Sequence, residues 1–213
     1  MHTDDLIKAL AADAGTRQTP PARALGLALV VAIALAGILF AAFLGPRADI
    51  AHALSTWRFQ LKLVLTALLL ISAVPVLLSL SRPTPTPWRK LALVALAPLA
   101  LAAAVVLELV VTPPSTWMAH TIGRNWMHCL TLIPLLALMP LAALLITLRQ
   151  SGAPSSPALA GAIAAVLAGA ISATYYATLC TDDSPLFVAT WYTFAISGLA
   201  ILGAMAGRLF LKW

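Results

Sequence analysis

Two cysteines, Cys129 and Cys180, are the only thiols in this 213-residue chain. Each stands where a long apolar run meets a polar stretch. Such a pair can form a structural bridge, act as a switch toward oxidants or soft metals, or stay buried and inert. A bridge requires Cα atoms roughly 4.4 to 6.8 Å apart, which a sequence can permit but not establish. His120, His128, Asp182 and Asp183 fall in the same region of the chain as the cysteines. Imidazole and thiolate together suit zinc or copper. The adjacent His128-Cys129 is no C-x-x-C spacing, so no dedicated metal site is expected, and no cofactor. There is no H-E-x-x-H, no phosphate-cradling glycine loop and no nucleophile with an obvious base. The residues therefore point away from an enzyme.

The elements that must carry these thiols follow from composition. Hydrophobic residues make up 62% of the chain and charged residues only 9%, against roughly 25% charge in a soluble domain. So few polar groups cannot cover a globular surface, so the chain belongs in a lipid bilayer. The net charge of +6 invites a nucleic-acid reading. The basic residues are scattered singly between apolar runs, however, and form no stripe, so no direct nucleic-acid contact is expected. The first 24 residues are polar and no A-x-A-like cleavage site follows, so a cleavable signal peptide is not expected.

Six apolar runs of about 20 residues, the length that a roughly 30 Å hydrocarbon core needs, span 25–45, 59–80, 90–111, 129–148, 157–179 and 187–209. Inside a bilayer the backbone must satisfy its own polar groups, so each run is predicted to be a helix. The fold class is all-α: a polytopic bundle of six transmembrane helices at 25–213, preceded by a cytoplasmic segment at 1–24. Breakers mark the connections: Gly45-Pro46, Pro83 to Pro87, Pro113-Pro114, Ser151 to Pro157, and Pro185.

Orientation follows from lysine and arginine. With the N-terminus inside, Lys8, Arg17, Arg23, Arg82, Arg89, Lys90, Arg149, Arg208 and Lys212 are cytoplasmic, and Arg47, Arg58, Lys62 and Arg124 are outside. That distribution favours both termini in the cytoplasm. Two arginines near 46–58 run against it. Cys129 then opens the fourth helix and Cys180 closes the fifth, both at the outer face. The short connection at 149–156 makes those helices antiparallel neighbours. Trp117, Trp126, Trp191 and Tyr192 read as an interfacial aromatic belt. Lys62 and Glu108, near outer helix ends, read as an ion pair between neighbouring helices. Small residues from Ala160 to Ser172, and Gly203 with Gly207, read as faces for close helix packing, with a homodimer as the alternative use.

Residues 3–14 predict a short amphipathic helix. Thr3 is placed to cap it, Asp4 and Asp5 suit its positive end, and Leu6, Ile7 and Leu10 lie on its apolar side. About three turns are marginal alone in water, so the helix must pack on the bundle's own inner face, as an ordered cap, on the membrane surface or on another protein. Its acidic character favours a basic protein surface over a membrane.

Three stretches, TDDLIKALAADA at 3–14, CLTLIPLLALMPLAALLITLR at 129–149 and PALAGAIAAVLAGAISATYYATLCTDDSPLFVATWY at 157–192, together resemble the NrsF-type anti-sigma factors. These are six-span inner-membrane proteins that restrain extracytoplasmic-function sigma factors. The resemblance runs from the N-terminal segment to the final Gly-Arg-Leu-Phe-Leu-Lys-Trp. It implies that the N-terminal segment, with Thr3, Asp4, Asp5, Leu6, Ile7 and Leu10, docks a sigma factor. It also implies that positions like Cys129 and Cys180 receive a periplasmic signal that releases it. The reading of a different class is a small transporter or permease subunit, suggested by six spans interrupted by Pro75, Pro98, Pro134 and Pro140. Against it stands the absence of ionisable residues at the midplane of the spans.

Overall fold

The computed structural model describes residues 20–84 and 88–211. The helix expected at 3–14, with Thr3, Asp4, Asp5, Leu6, Ile7 and Leu10, lies outside the described residues. Among those residues the chain is helical, without strands. Six helices are long and apolar enough to cross a membrane.

Helix α1 (Pro21–Phe43) opens on a proline at its first position, where the missing N–H costs nothing and the fixed φ suits a helix. It ends at Gly45, whose φ of +72° suits glycine. A one-turn helix (Ile50–Ala53) leads to α2 (Trp57–Leu80). Helix α3 runs from Trp88 to Val111, but its second turn, Ala92–Ala95, tightens to a 3-10 helix. Pro98 supplies the cause, since its ring crowds the carbonyl four residues back, at Val94, and offers it no N–H.

Then come α4 (Pro114–Ile122), α5 (Trp126–Ser151), α6 (Pro157–Leu179) and α7 (Pro185–Phe210). The second turn of α7, Val188–Tyr192, is a π-helical turn. The spans therefore match the expected six to within a few residues at each end. The addition is α4, a nine-residue helix in what the sequence offered as a plain connection. Gly123, at φ +60°, separates it from α5.

Helix α6 is the axis of the bundle. Of its most apolar 18-residue window, 67% is buried, against 17–44% for the other spans. Helices α7, α2 and α5 pack directly on it, and α1 lies along α5 and α6. Small side chains make this possible, with Ala160, Ala164, Ala165, Ala168 and Ala173 fully buried. Lipid offers no hydrophobic drive between helices, so close backbone approach has to supply the attraction. At Gly161 a Cβ would strike the Gly203 carbonyl and come within 2.8 Å of Gly207 Cα. The Gly203–Gly207 face is thus used inside this chain, against α6.

Helix α3 is peripheral, with only Ala97, Ala104 and Glu108 buried along Leu96–Val111. Large apolar side chains such as Val30, Ile38, Ile71, Val106, Leu135 and Ile201 point outward, a surface suited to hydrocarbon rather than water.

The bundle has two distinct ends. At one, the Ser81 carbonyl accepts a hydrogen bond from Ala153 N–H (2.9 Å), near where the described chain begins and finishes. The other end holds both cysteines.

Candidate functional site

Cys129 lies in the first turn of α5, its N–H donating to the Asn125 carbonyl (2.9 Å). Cys180 is the residue at which α6 stops, its N–H donating to Tyr176 O (2.9 Å). The short hairpin between α5 and α6 therefore brings both to the same end, as expected. Both are free thiols in one apolar cluster. They are 0% and 2% exposed, which decides a point the sequence left open: these thiols do not face water. Cys180 Sγ lies 3.7 Å from the Asp182 carbonyl. Tyr176, Phe187 and Tyr192 form an aromatic wall nearby, with Tyr192 6.0 Å from Tyr176 and 6.4 Å from Phe187 between ring centroids.

The turn Cys180–Ser184 that joins α6 to α7 begins at one of the two thiols and folds its Asp182 carbonyl back toward that sulfur. Asp182 secures one side of the turn. Its Oδ2 accepts from the backbone N–H groups of Arg124 (3.0 Å) and Asn125 (2.8 Å) and from Asn125 Nδ2 (2.9 Å). That carboxylate satisfies donors at the start of α5, where a helix leaves N–H groups unpaired and favours negative charge.

Asp183 secures the other side. Its Oδ1 pairs with Lys62 Nζ at 2.5 Å and its Oδ2 with Arg47 Nη1 at 3.0 Å. Lys62 also donates to the Cys180 carbonyl at 2.8 Å and lies 3.4 Å from the Asp182 carbonyl. Arg47 grips Asp49 through two bonds of 2.6 Å. That fork holds the exposed Asp49 carboxyl down at about 2 and pushes the guanidinium above its usual range.

A second cluster surrounds Glu108, which is fully buried. Its Oε1 meets Arg58 Nη2 (3.0 Å) and Ser184 Oγ (3.4 Å), with His120 Nδ1 at 3.5 Å. Among the described residues its Oε2 has no hydrogen-bond partner. The expected Lys62–Glu108 pair is therefore corrected. Arg58, one turn before Lys62 on the same face of α2, takes Glu108. Lys62 turns instead to the three oxygens of the 180–183 turn, a partner set that spacing within α2 and α3 could not reveal.

Aromatic residues play two parts here. Trp126 packs on Trp191 at 5.2 Å between centroids, Trp191 Nε1 donates to Thr121 O (2.8 Å) and Trp117 Nε1 to Thr112 O (2.9 Å). These rings tie α4 to its neighbours at the level expected for a belt. Tyr192 departs from that expectation: it is 2% exposed, inside the core beside Tyr176.

Of the residues weighed for metal, His120 belongs with Glu108, and His128 is exposed while its neighbour Cys129 is buried. Among the described residues no three His, Cys, Asp or Glu side chains converge. Arg47, Arg58, Asn125 and Ser184 were not singled out from sequence as site residues, and Asp183 was weighed there only for metal. One signal was available. All four acids beyond residue 13, namely Asp49, Glu108, Asp182 and Asp183, lie at this end. They match four cations there, Arg47, Arg58, Lys62 and Arg124.

The family described as negative regulator of sigma F matches residues 10–213. The chain is 34% identical to the anti-sigma-F factor NrsF of Caulobacter vibrioides and 33% identical to a probable anti-sigma-F factor NrsF of Azospira oryzae. Both alignments cover the whole of each chain. No solved structure matches it. A match over nearly the full length, joined to a six-helix bundle with a buried thiol pair at one end, identifies the chain as a member of the NrsF family of negative regulators of sigma F.

Proposed function

We propose that this chain holds an extracytoplasmic-function sigma factor at the bacterial inner membrane and releases it when a periplasmic signal reaches Cys129 and Cys180. Residues 1–24 are the docking segment, with Thr3, Asp4, Asp5, Leu6, Ile7 and Leu10 on the bound helix. Both termini are cytoplasmic. The observation that carries the reading is the family membership of a chain whose only two thiols share one buried cluster.

The charge balance supports the orientation. Arg47, Arg58 and Lys62, cations that count against the positive-inside rule, are each paired with an acid at the cysteine end. They are neutralised by contacts within the protein. Among the described residues no acid lies on the other side of the bundle, where Arg82, Arg89, Lys90, Arg149 and Arg208 gather, and that excess of cations fits the cytoplasmic side.

A signal acts only through its different affinity for the holding and releasing states. Disulfide formation, thiol oxidation or soft-metal ligation each changes the volume and charge of a packed cluster, and a packed cluster has discrete arrangements rather than a continuum.

Affinity purification from membranes is the test. The full chain should bring its sigma factor with it, and a variant lacking residues 1–14 should not. The C129S/C180S double variant should keep the sigma factor bound under oxidant or soft-metal stress. Co-purification by the deletion variant overturns tail docking, and normal release from the double variant overturns the thiol reading.

A further inference from the structure

Lys62 is an unusual residue for its place. Its side chain is fully buried, and a buried ammonium is tolerated only with a counter-charge and further acceptors. All of these come from one stretch of four residues, 180–183. Asp183 provides the charge, at 2.5 Å. The carbonyls of Cys180 and Asp182 provide the remaining acceptors, at 2.8 and 3.4 Å. The Phe59 ring lies below the ammonium, 5.3 Å from centroid to Nζ.

Neutralisation requires Asp183 alone. The two carbonyl contacts do something else: they fix the path of the turn that begins at Cys180. Arg47 reaches the same region, but its grip on the Cys180 carbonyl is long, at 3.5 Å, and two of its nitrogens serve Asp49. Lys62 is thus the main hold on this turn from beneath. It also stands on α2, whose far end meets the α5–α6 connection through Ser81 and Ala153. One continuous helix, with Pro75 near its far end, links this turn to the opposite end of the bundle.

The neighbouring cavity of about 360 Å³, lined by Arg58 and His120 as well as Asp182 and Asp183, carries no comparable inference. Its mixed charges select neither an anion nor a cation.

We propose that Lys62 is a positioning residue for the thiol pair. Its ammonium latches the Cys180–Asp183 turn against the Cys180 sulfur, and a reagent gains access to that sulfur only as that bond set opens. The inference rests on the reading of the two cysteines as the sensing pair.

The test uses the purified full-length protein in detergent with its sigma factor bound, and compares the parent with Lys62→Met. Methionine keeps the length and burial of the side chain and removes the donor, while Asp183 retains Arg47. In a C129S background, modification of Cys180 by a hydrophilic maleimide should accelerate at least about tenfold, the factor matched by loss of one charge-assisted hydrogen bond. Gly161→Ala, which strains the α6–α7 contact far from the turn, should not accelerate it. Unchanged labelling in Lys62→Met, or equal acceleration in Gly161→Ala, overturns the latch. The second readout, in the chain with both thiols, is the rate of sigma-factor release at one fixed oxidant dose, expected to rise in Lys62→Met. Fast labelling with an unchanged release rate leaves the latch standing and overturns the sensing role of the thiols instead.

Discussion

Replacing Asp183 by asparagine should harm this protein more than replacing Lys62 by methionine, although each removes one member of the same ion pair. The asparagine amide would keep the shape of the carboxylate and one acceptor oxygen but lose the charge. Arg47 would keep its two bonds to Asp49 and remain paired. Lys62 would remain fully buried with only uncharged oxygens around it. Breaking a buried pair from one side costs about 3–5 kcal/mol. Asp183 is 18% exposed and the carbonyls persist, so the cost falls at or just below the lower end of that range, about 2–3 kcal/mol. That corresponds to about 30- to 150-fold in the folding equilibrium.

Lys62→Met leaves Asp183 on Arg47 and should lose about 1.5 kcal/mol, the lower end of the net worth of a hydrogen bond to a charged group. The double variant removes both charges and should be more stable than Asp183→Asn alone. Reversible unfolding of the four proteins in one detergent gives the complete cycle. A loss below about 0.5 kcal/mol for Asp183→Asn, typical of an exposed pair, refutes the argument, as does a double variant less stable than Asp183→Asn.

Gly161→Ala should destabilise by about 1–3 kcal/mol through overpacking against Gly203, whereas Gly198→Ala, with open space around it, should be neutral in the same unfolding assay. A Cβ at Gly37 would lie 2.8 Å from the Tyr175 hydroxyl, which donates to the Ile33 carbonyl at 3.1 Å. Gly37→Ala and Tyr175→Phe should therefore be less than additive when combined, because removing the hydroxyl relieves the collision. Asp49 titrates in the fold at about 2, below its ordinary 3.8, so its bond to Arg47 stabilises above that ordinary value and its contribution fades as pH falls toward 2. Asp49→Asn should flatten the acid limb of a stability profile and leave the shape of the profile from about pH 5 to 8 unchanged.

Much of the architecture was legible from the chain. The apolar runs between breakers such as Gly45-Pro46 and Pro113-Pro114 correspond to the helices within a few residues, because hydrocarbon thickness sets a length that sequence must meet. The short 149–156 connection correctly made α5 and α6 neighbours. The small-residue faces of α6 and α7 correctly announced close packing. Helix α4 was missed because proline on one side and glycine on the other resemble a loop. Tyr192 was assigned to the belt because a tyrosine near a span end suits an interface as well as a core.

The sequence alone determined how many spans there are, roughly how long each is and which end of the bundle the described charged residues reach, since lipid penalises unpaired polar groups and rewards apolar length. Only the tertiary structure decided which way each helix turns its sides. In water a helix declares its buried face by an apolar stripe. In a bilayer both the lipid side and the protein side are apolar, so that signal is absent. The rotation of α2 that sends Arg58 to Glu108 and Lys62 to Asp183 could not be read from spacing. For the same reason, the burial of Cys129 and Cys180 and the bond from Lys62 to the Cys180 carbonyl emerged only when the helices were packed together.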